Sequence, residues 1–285
     1  MWIMYAFCSA FFAGITAVLA KIGIKDVDSN LATALRTIVI LIFSWLMVFI
    51  VGSFNTISII ETKTLVFLVL SGMATGLSWL CYFKALQLGN VNKVTPIDKS
   101  STILTMVLAM LFLNEAFTVL KGISIVLIGV GTYMMIEKKK DTDTKSESWL
   151  IYACGSAVFA SLTSILGKIG ISGVESNLGT AIRTVIVLIM AWVVVAVTKK
   201  AKEIKNIDKK SWIFLILSGL TTGLSWLCYY KALQEGEASI VVPIDKLSIL
   251  VTIAFSYFIL HEKMTKKSLL GLVGIVIGTF LLLVK

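Results

Sequence analysis

Gly76-Leu77-Ser78-Trp79-Leu80-Cys81-Tyr82 returns 147 residues later as Gly223-Leu224-Ser225-Trp226-Leu227-Cys228-Tyr229. The same interval carries Pro96-Ile97-Asp98-Lys99 onto Pro243-Ile244-Asp245-Lys246. It also carries Lys21 onto Lys168, Arg36 onto Arg183, Trp45 onto Trp192 and Glu115 onto Glu262. From residue 2 to residue 285 the interval never shifts, so the chain reads as two copies of one unit without insertions between them.

Working outward from that heptapeptide, the surrounding sequence is too apolar for a water-soluble domain. Hydrophobic residues make up 58% of the 285-residue chain and charged residues 15%, with a mean hydropathy of +0.94. Soluble domains are about half apolar and a quarter charged. Runs of about 20 apolar residues span a bilayer as helices. Ten such runs are expected, at 3–23, 31–52, 64–87, 92–113, 117–136, 149–170, 178–198, 211–234, 239–260 and 267–284. With two prolines and long runs, helices are favoured over a barrel. The expected fold is an all-α integral membrane bundle of two five-helix repeats, 1–138 and 148–285, joined by a polar loop at 139–147. The apolar run after Met1 lacks a basic leader and recurs inside the chain, so it reads as a first span and not as a cleaved signal. An odd number of spans per copy turns the second copy upside down in the bilayer. Inverted repeats of this kind carry a substrate site between their halves.

The 26 basic residues sort by loop. Fifteen lie in alternate loops: Lys25, Lys93, Lys138–Lys140, Lys145, the cluster from Lys199 to Lys210, Lys263, Lys266 and Lys267. The opposite set holds three, Lys63, Lys121 and Lys285. The positive-inside rule puts the richer set in the cytoplasm and both termini outside. The net charge of +10 is thus a topology signal with a secondary attraction to anionic headgroups, and nucleic-acid binding is not expected. The other eight basic residues are the repeat pairs Lys21/Lys168, Arg36/Arg183, Lys84/Lys231 and Lys99/Lys246, joined in the spans by Asp98 and Asp245. Charges at membrane depth face a bundle interior or a watery cavity.

Helical spacing marks the inward faces. Ser9, Ala13, Ala17 and Lys21 recur every four residues, copied as Ser156, Ala160, Ser164 and Lys168, a packing face of small residues. Polar stripes follow in the third span (Ser71, Thr75, Ser78, Tyr82) and the fourth (Asp98, Ser101, Thr105), with their copies including Ser225, Tyr229, Asp245 and Thr252. Such a stripe lines a cavity or makes interhelical hydrogen bonds. Trp79 and Trp226 are core aromatics or cavity walls. Arg36 and Arg183 open their spans as anchors or anion binders, since a guanidinium suits carboxylate and phosphate. Lys84 and Lys231 are expected to snorkel to the interface, and Glu115 and Glu262 to act as loop or cap residues. Pro96 and Pro243 are expected to loosen the first third of a helix that starts upstream, placing Asp98 and Asp245 below the surface. There a carboxylate pairs with a cation or takes up a proton. Gly271, Gly274 and Gly278, with Gly131 in the first copy, suit helix contact within the bundle or between protomers. The four cysteines sit in apolar runs and read as buried thiols. With one histidine, no Walker A loop and no nucleophile elbow, the chain is not expected to be an enzyme, to bind a metal or to use a cofactor.

The doubled Pro-Ile-Asp-Lys, the doubled Ser-Trp-Leu-Cys-Tyr, and the span ends Leu113-Asn114-Glu115 and Leu260-His261-Glu262 resemble the EamA-domain proteins of the drug/metabolite transporter superfamily. The resemblance covers both halves. It implies a ten-helix bundle, two inverted repeats, a central cavity and alternating access, with substrates among amino acids, sugars, nucleotide derivatives or drugs. It also implies cytoplasmic termini, opposite to the charge count. Small relatives that export cationic drugs place a glutamate in the first span; here that segment holds Lys21 and no acid. The expected function is secondary transport of a small polar metabolite bearing a carboxylate or phosphate, in the plasma membrane of a prokaryote. The candidate cavity residues are Lys21, Arg36, Ser78, Trp79, Tyr82, Asp98, Lys99, Thr105, Lys168, Arg183, Ser225, Trp226, Tyr229, Asp245, Lys246 and Thr252. The partners are the lipid bilayer, the substrate and a proton or other coupling ion; the oligomeric state is open. A passive facilitator and a non-transport membrane partner are the alternatives.

Overall fold

The computed structural model describes residues 1–23, 27–88, 94, 97–135, 148–260 and 265–284. Its described elements are helices: α1 Trp2–Gly23, α2 Ser29–Val51, α3 Thr62–Leu88, α4 Ser101–Phe112, α5 Val119–Met135, α6 Trp149–Ile171, α7 Ser176–Thr198, α8 Lys209–Glu235, α9 Ala238–Lys246, α10 Ser248–Leu260 and α11 Lys266–Leu281. Short 3-10 turns at Ser53–Ile59 and Ala201–Asn206 follow α2 and α7.

Seven stretches are long and apolar enough to cross a membrane: Trp2–Ala20, Ser29–Val51, Thr62–Tyr82, Trp149–Ile171, Ser176–Thr198, Lys209–Glu235 and Ala238–Phe255. The other three expected spans coincide with α4, α5 and α11, of 12, 17 and 16 residues. At 1.5 Å per residue these fall short of a full hydrocarbon core. Much of the segment ahead of α4, including Pro96, lies outside the described residues, as does the expected joint at 139–147.

Helix ends repeat with the sequence. Asp28 accepts the N–H groups of Asn30 and Leu31 at 3.0 and 3.1 Å, and Glu175, 147 residues on, does the same for Asn177 and Leu178. Each satisfies donors that the first helical turn leaves unpaired. At the other end α2 stops on Gly52 and α7 on Lys199, both left-handed at φ 76° and 57°. The glycine adopts that backbone without a Cβ clash; the lysine is held there by the same cap hydrogen bonds.

Packing exchanges the halves. The most extensive contacts are α1 with α8 and α3 with α6, followed by α5 with α11 and α2 with α7. A shift of 147 maps α1 onto α6 and α3 onto α8, so the first two contacts are copies of each other and the last two map onto themselves. Each copy therefore packs its first helix on the third helix of the other. Serines weld these contacts: Ser225 donates to the Ser9 carbonyl and Ser78 to the Ser156 carbonyl, each at 3.1 Å. The α5–α11 crossing brings backbones together, because a Cβ on Gly131 would lie 2.5 Å from the Gly271 carbonyl and the reverse also holds. These glycines thus make contact within the bundle.

The Pro243 helix breaks where the sequence suggested a loosened segment. Pro243 offers no N–H to the turn before it. α9 ends at Lys246, Leu247 makes a tight bond back to Ile244 at 2.9 Å, and α10 begins at Ser248. The cysteines correct an expectation. Cys154 is exposed and Cys8, Cys81 and Cys228 are half-buried, since a lipid-facing surface is as apolar as the core and a sequence run cannot tell the two apart.

Candidate functional site

The break between α9 and α10 sets Asp245 and Lys246 on the wall of a cavity of about 310 Å³. Ser78 and Trp79 of α3, Arg183 of α7, and Ser225, Trp226 and Tyr229 of α8 complete the predicted part of its lining. A second cavity of about 210 Å³ is lined by Arg36, Thr37 and Thr222, and shares Trp79 and Trp226 with the first. The two tryptophans are walls between the spaces.

Arg183 is 2% exposed. Its Nε donates to Ser71 at 2.9 Å and its Nη2 to Thr75 at 2.5 Å. The guanidinium lies 4.7 Å from the Tyr230 ring and 5.3 Å from the Trp226 ring, a stacking that delocalised charge favours. Nη1 is buried without a partner. Arg36 repeats the arrangement from the other copy. Its Nη2 donates to Thr222 at 2.7 Å, and Thr222 is the repeat of Thr75. Its Nε is buried without a partner. Neither arginine forms a salt bridge among the described residues. Both sit inside their helices against the other half, so neither is an interfacial anchor.

The aspartates take hydroxyls instead of cations. Ser9 donates to Asp245 at 2.6 Å and Ser156 to Asp98 at 2.7 Å, again repeat copies and again across the halves. The expected ion pairs to these aspartates are not formed among the described residues. Lys99 and Lys246 are both exposed, and lie close enough for their charges to repel. The walls of the two cavities thus carry three cations, Arg36, Arg183 and Lys246, against one aspartate, Asp245.

Several candidates lie elsewhere. Thr105 is 2% exposed and donates to the Ser101 carbonyl of its own helix. Thr252 does the same to Ser248. Helix-internal bonds take both hydroxyl protons, and neither residue is on the lining of either cavity, which periodicity could not foresee. Tyr82 packs with Ala85, Val94 and Ala153 instead of following its copy Tyr229 to the cavity. The Lys21 side chain lies outside the described residues.

Lys168 is at one end of the bundle, where its Nζ donates to the Leu233 carbonyl at 2.8 Å and to that of Gly236. Beside it Glu115 accepts the N–H groups of Ala238 and Ser239 at 2.6 and 2.9 Å. Glu115 is a cap, as its position suggested, but it caps α9 of the other copy. Lys121 pairs with Glu237 at 2.5 Å across the same end. Twelve buried residues cluster beneath this seal, including Leu68, Ile171, Leu233 and Val241. Ala85, Val94 and Ala153, the repeats of Ala232, Val241 and Ala6 in that cluster, are likewise buried together.

Sequence reading missed Tyr230, whose copy is Phe83, and Thr163, on a face assigned to packing. The one legible signal for Tyr230 was the loss of repeat identity at that position. No group of three or more histidine, cysteine or acidic side chains positioned for a metal occurs among the described residues.

The chain resembles known proteins over its full length. The model of the EamA-like transporter family matches twice, at residues 1–137 and 147–284. A protein of Sinorhizobium sp described as an uncharacterized transporter in the cobO 3' region is 42% identical over 139 residues. That match takes 49% of this chain and 99% of the relative, which has the length of one half. A putative ribose uptake protein, RbsU, of Latilactobacillus sakei is 23% identical over 278 residues, 94% of this chain and 90% of that one. A crystal structure 14% identical in sequence superimposes with a TM-score of 0.77 over 99% of this chain and 96% of its own, which shows a shared fold. With the family model matched in both halves, this multi-pass membrane chain belongs to the EamA-like transporter family, within the drug/metabolite transporter superfamily.

Proposed function

We propose that the protein is a secondary transporter of a small anionic metabolite, carried through the central cavity by alternating access. The carrying observation is the pair of interior arginines. Each has a buried nitrogen with no hydrogen-bond partner, and neither forms a salt bridge among the described residues. An entering carboxylate or phosphate supplies both the missing acceptor and the missing charge, and a guanidinium fork suits either group. Trp79, Trp226 and Tyr229 offer faces for the rest of the solute.

In this reading the chain crosses the membrane ten times, as repeats 1–138 and 148–285 in opposite orientation, joined at 139–147, with both termini outside. The prokaryotic relatives favour a prokaryotic plasma membrane. Lys121–Glu237, Glu115 with the start of α9, and Lys168 with the end of α8 seal one side of the cavity. Rocking of the halves about α1–α8 and α3–α6 exchanges the sealed side, and Asp98 and Asp245 are placed to carry a coupling proton.

The test is flux in proteoliposomes across amino acids, organic acids, phosphorylated metabolites, neutral sugars and lipophilic cations. Uptake of an anionic solute, lost in Arg183→Gln, is expected. The relative named for ribose uptake supports a second reading, a neutral sugar stacked on the tryptophans. Uptake confined to neutral sugars would favour it and refute the anion site. Accumulation against a gradient separates coupled transport from passive facilitation.

A further inference from the structure

A third cavity, of about 600 Å³, shares no lining residue with the other two and lies between the starts of α2 and α6 and the ends of α3 and α7. Its polar lining is Lys84, Lys200, Asp28, Asn30 and Tyr152, and its apolar lining includes Leu80 and Val197. Val197 is 68% exposed and Tyr152 37%, so the cavity borders the outer, lipid-facing surface of the bundle.

Here the two copies stop matching. In the second copy Lys231 carries its own counter-charge, Glu235, at 3.0 Å one turn on. The corresponding acid position after Lys84 is Leu88. Asn177 donates to Glu175 at 2.8 Å, whereas the Oδ1 atom of its counterpart, Asn30, is buried without a partner. Where the first copy has Gly52 and Ser53 after α2, the second has Lys199 and Lys200 after α7, the ones beside this cavity. Asp28 forms no salt bridge with Lys84 among the described residues, and its Oδ1 accepts the N–H groups of α2. Lys200 pairs with Glu203 at 2.5 Å, and that pair is exposed enough to share its ammonium with a second anion. Lys84 has no acid partner among the described residues.

We propose that this cavity seats the phosphate of an anionic phospholipid from the adjoining leaflet. Lys84 and Lys200 hold the phosphate, a headgroup hydroxyl donates to Asn30 Oδ1, and an acyl chain leaves over Val197 into the bilayer. The lysine cluster from Lys199 to Lys210 sits at this end of the bundle, which the positive-inside rule assigns to the cytoplasm, where anionic lipid is recognised by basic pockets between helices. An apolar wall open to the bilayer favours a lipid over a soluble phosphate. Lys84 comes from the first copy and Lys200 from the second, and the repeat-related position holds Lys231, already paired with Glu235, and Ser53, so the site exists on one face of a duplicated protein.

The experiment uses the full chain in neutral detergent. Phosphatidylglycerol, phosphatidylcholine or inorganic phosphate is titrated, with bound lipid counted by native mass spectrometry and Tm followed in parallel. Phosphatidylglycerol is expected to bind and raise Tm more than phosphatidylcholine. The double variant Lys84→Gln/Lys200→Gln is expected to weaken it about tenfold, while Lys84→Arg keeps the preference and Lys231→Gln leaves it unchanged. Retention of the preference in the double variant, equal binding of phosphatidylcholine, or an equal Tm shift from inorganic phosphate would overturn the proposal.

Discussion

Arg183 shows how a single side chain acquires a role its sequence position does not announce. It occupies the second turn of a long apolar helix, where an arginine commonly anchors to headgroups. Instead, Ser71 and Thr75 take two of its donors, Trp226 and Tyr230 take its faces, and Nη1 is buried without a partner. Replacing it by glutamine is expected to lower affinity for the anionic substrate at least about tenfold, the loss of one charge-assisted bond. Arg183→Lys is expected to fail as a rescue, since an ammonium cannot reproduce the planar fork. Competition binding to the purified variants measures both. A lysine variant with full affinity would show that only charge matters there. Asp245, bonded to Ser9 and close to Lys246, is expected to act on coupling. Asp245→Asn should preserve exchange of substrate across liposomes but abolish accumulation driven by a proton gradient. Accumulation retained in that variant would remove the carboxylate from the coupling step.

At the scale of elements, α9 and α10 carry the functional information of the fourth span in the second copy. Pro243 interrupts the hydrogen-bond ladder, and Asp245 and Lys246 sit where the two helices part. Pro243→Ala is expected to strengthen that helix, raising Tm while slowing transport, because a continuous helix shifts both side chains. A variant with raised Tm and unchanged flux would make the break incidental. The α5–α11 pair is a structural element by contrast. Gly131 and Gly271 oppose each other's backbone, so Gly131→Val is expected to lower Tm by several degrees, a cost on the order of 1–3 kcal/mol for overpacking.

Across the whole molecule, duplication makes one set of contacts serve twice. α1 on α8 repeats as α6 on α3, and Arg36 on Thr222 repeats as Arg183 on Thr75. The halves depend on each other more than on the loop between them. Cleavage of the 139–147 segment in a protein engineered with a protease site is expected to leave both fragments associated and transport intact. Dissociation in mild detergent would contradict that dependence. The ten crossings proposed above require both termini on one side. Tags at each end of the chain in intact cells are expected to be reached from outside by a protease, and protection of one tag alone would exclude an even number of crossings.

How much of this was legible in the sequence differs by kind of residue. The repeat and the family motifs were written at a fixed interval of 147 residues, and helix spacing located Ser78, Ser225 and Tyr229 on faces that reach the cavity, while Trp79 and Trp226 read as core or cavity wall. These depend on local backbone geometry, which periodicity encodes. The fates of Thr105 and Thr252 were not legible, because a hydroxyl on an inward stripe can bond its own helix as readily as a cavity. Nor were Glu115 and Lys168, which act on α9 and the end of α8 in ways that depend on where the two copies meet. The sequence by itself determined that this is a duplicated helical membrane protein with charges it must keep from lipid. Only the tertiary structure decided which charges go unpaired. Counter-charges are set by proximity between distant segments, and two copies that read alike place Arg36 and Arg183 at the heart of the bundle while sealing Lys168 at one end of it.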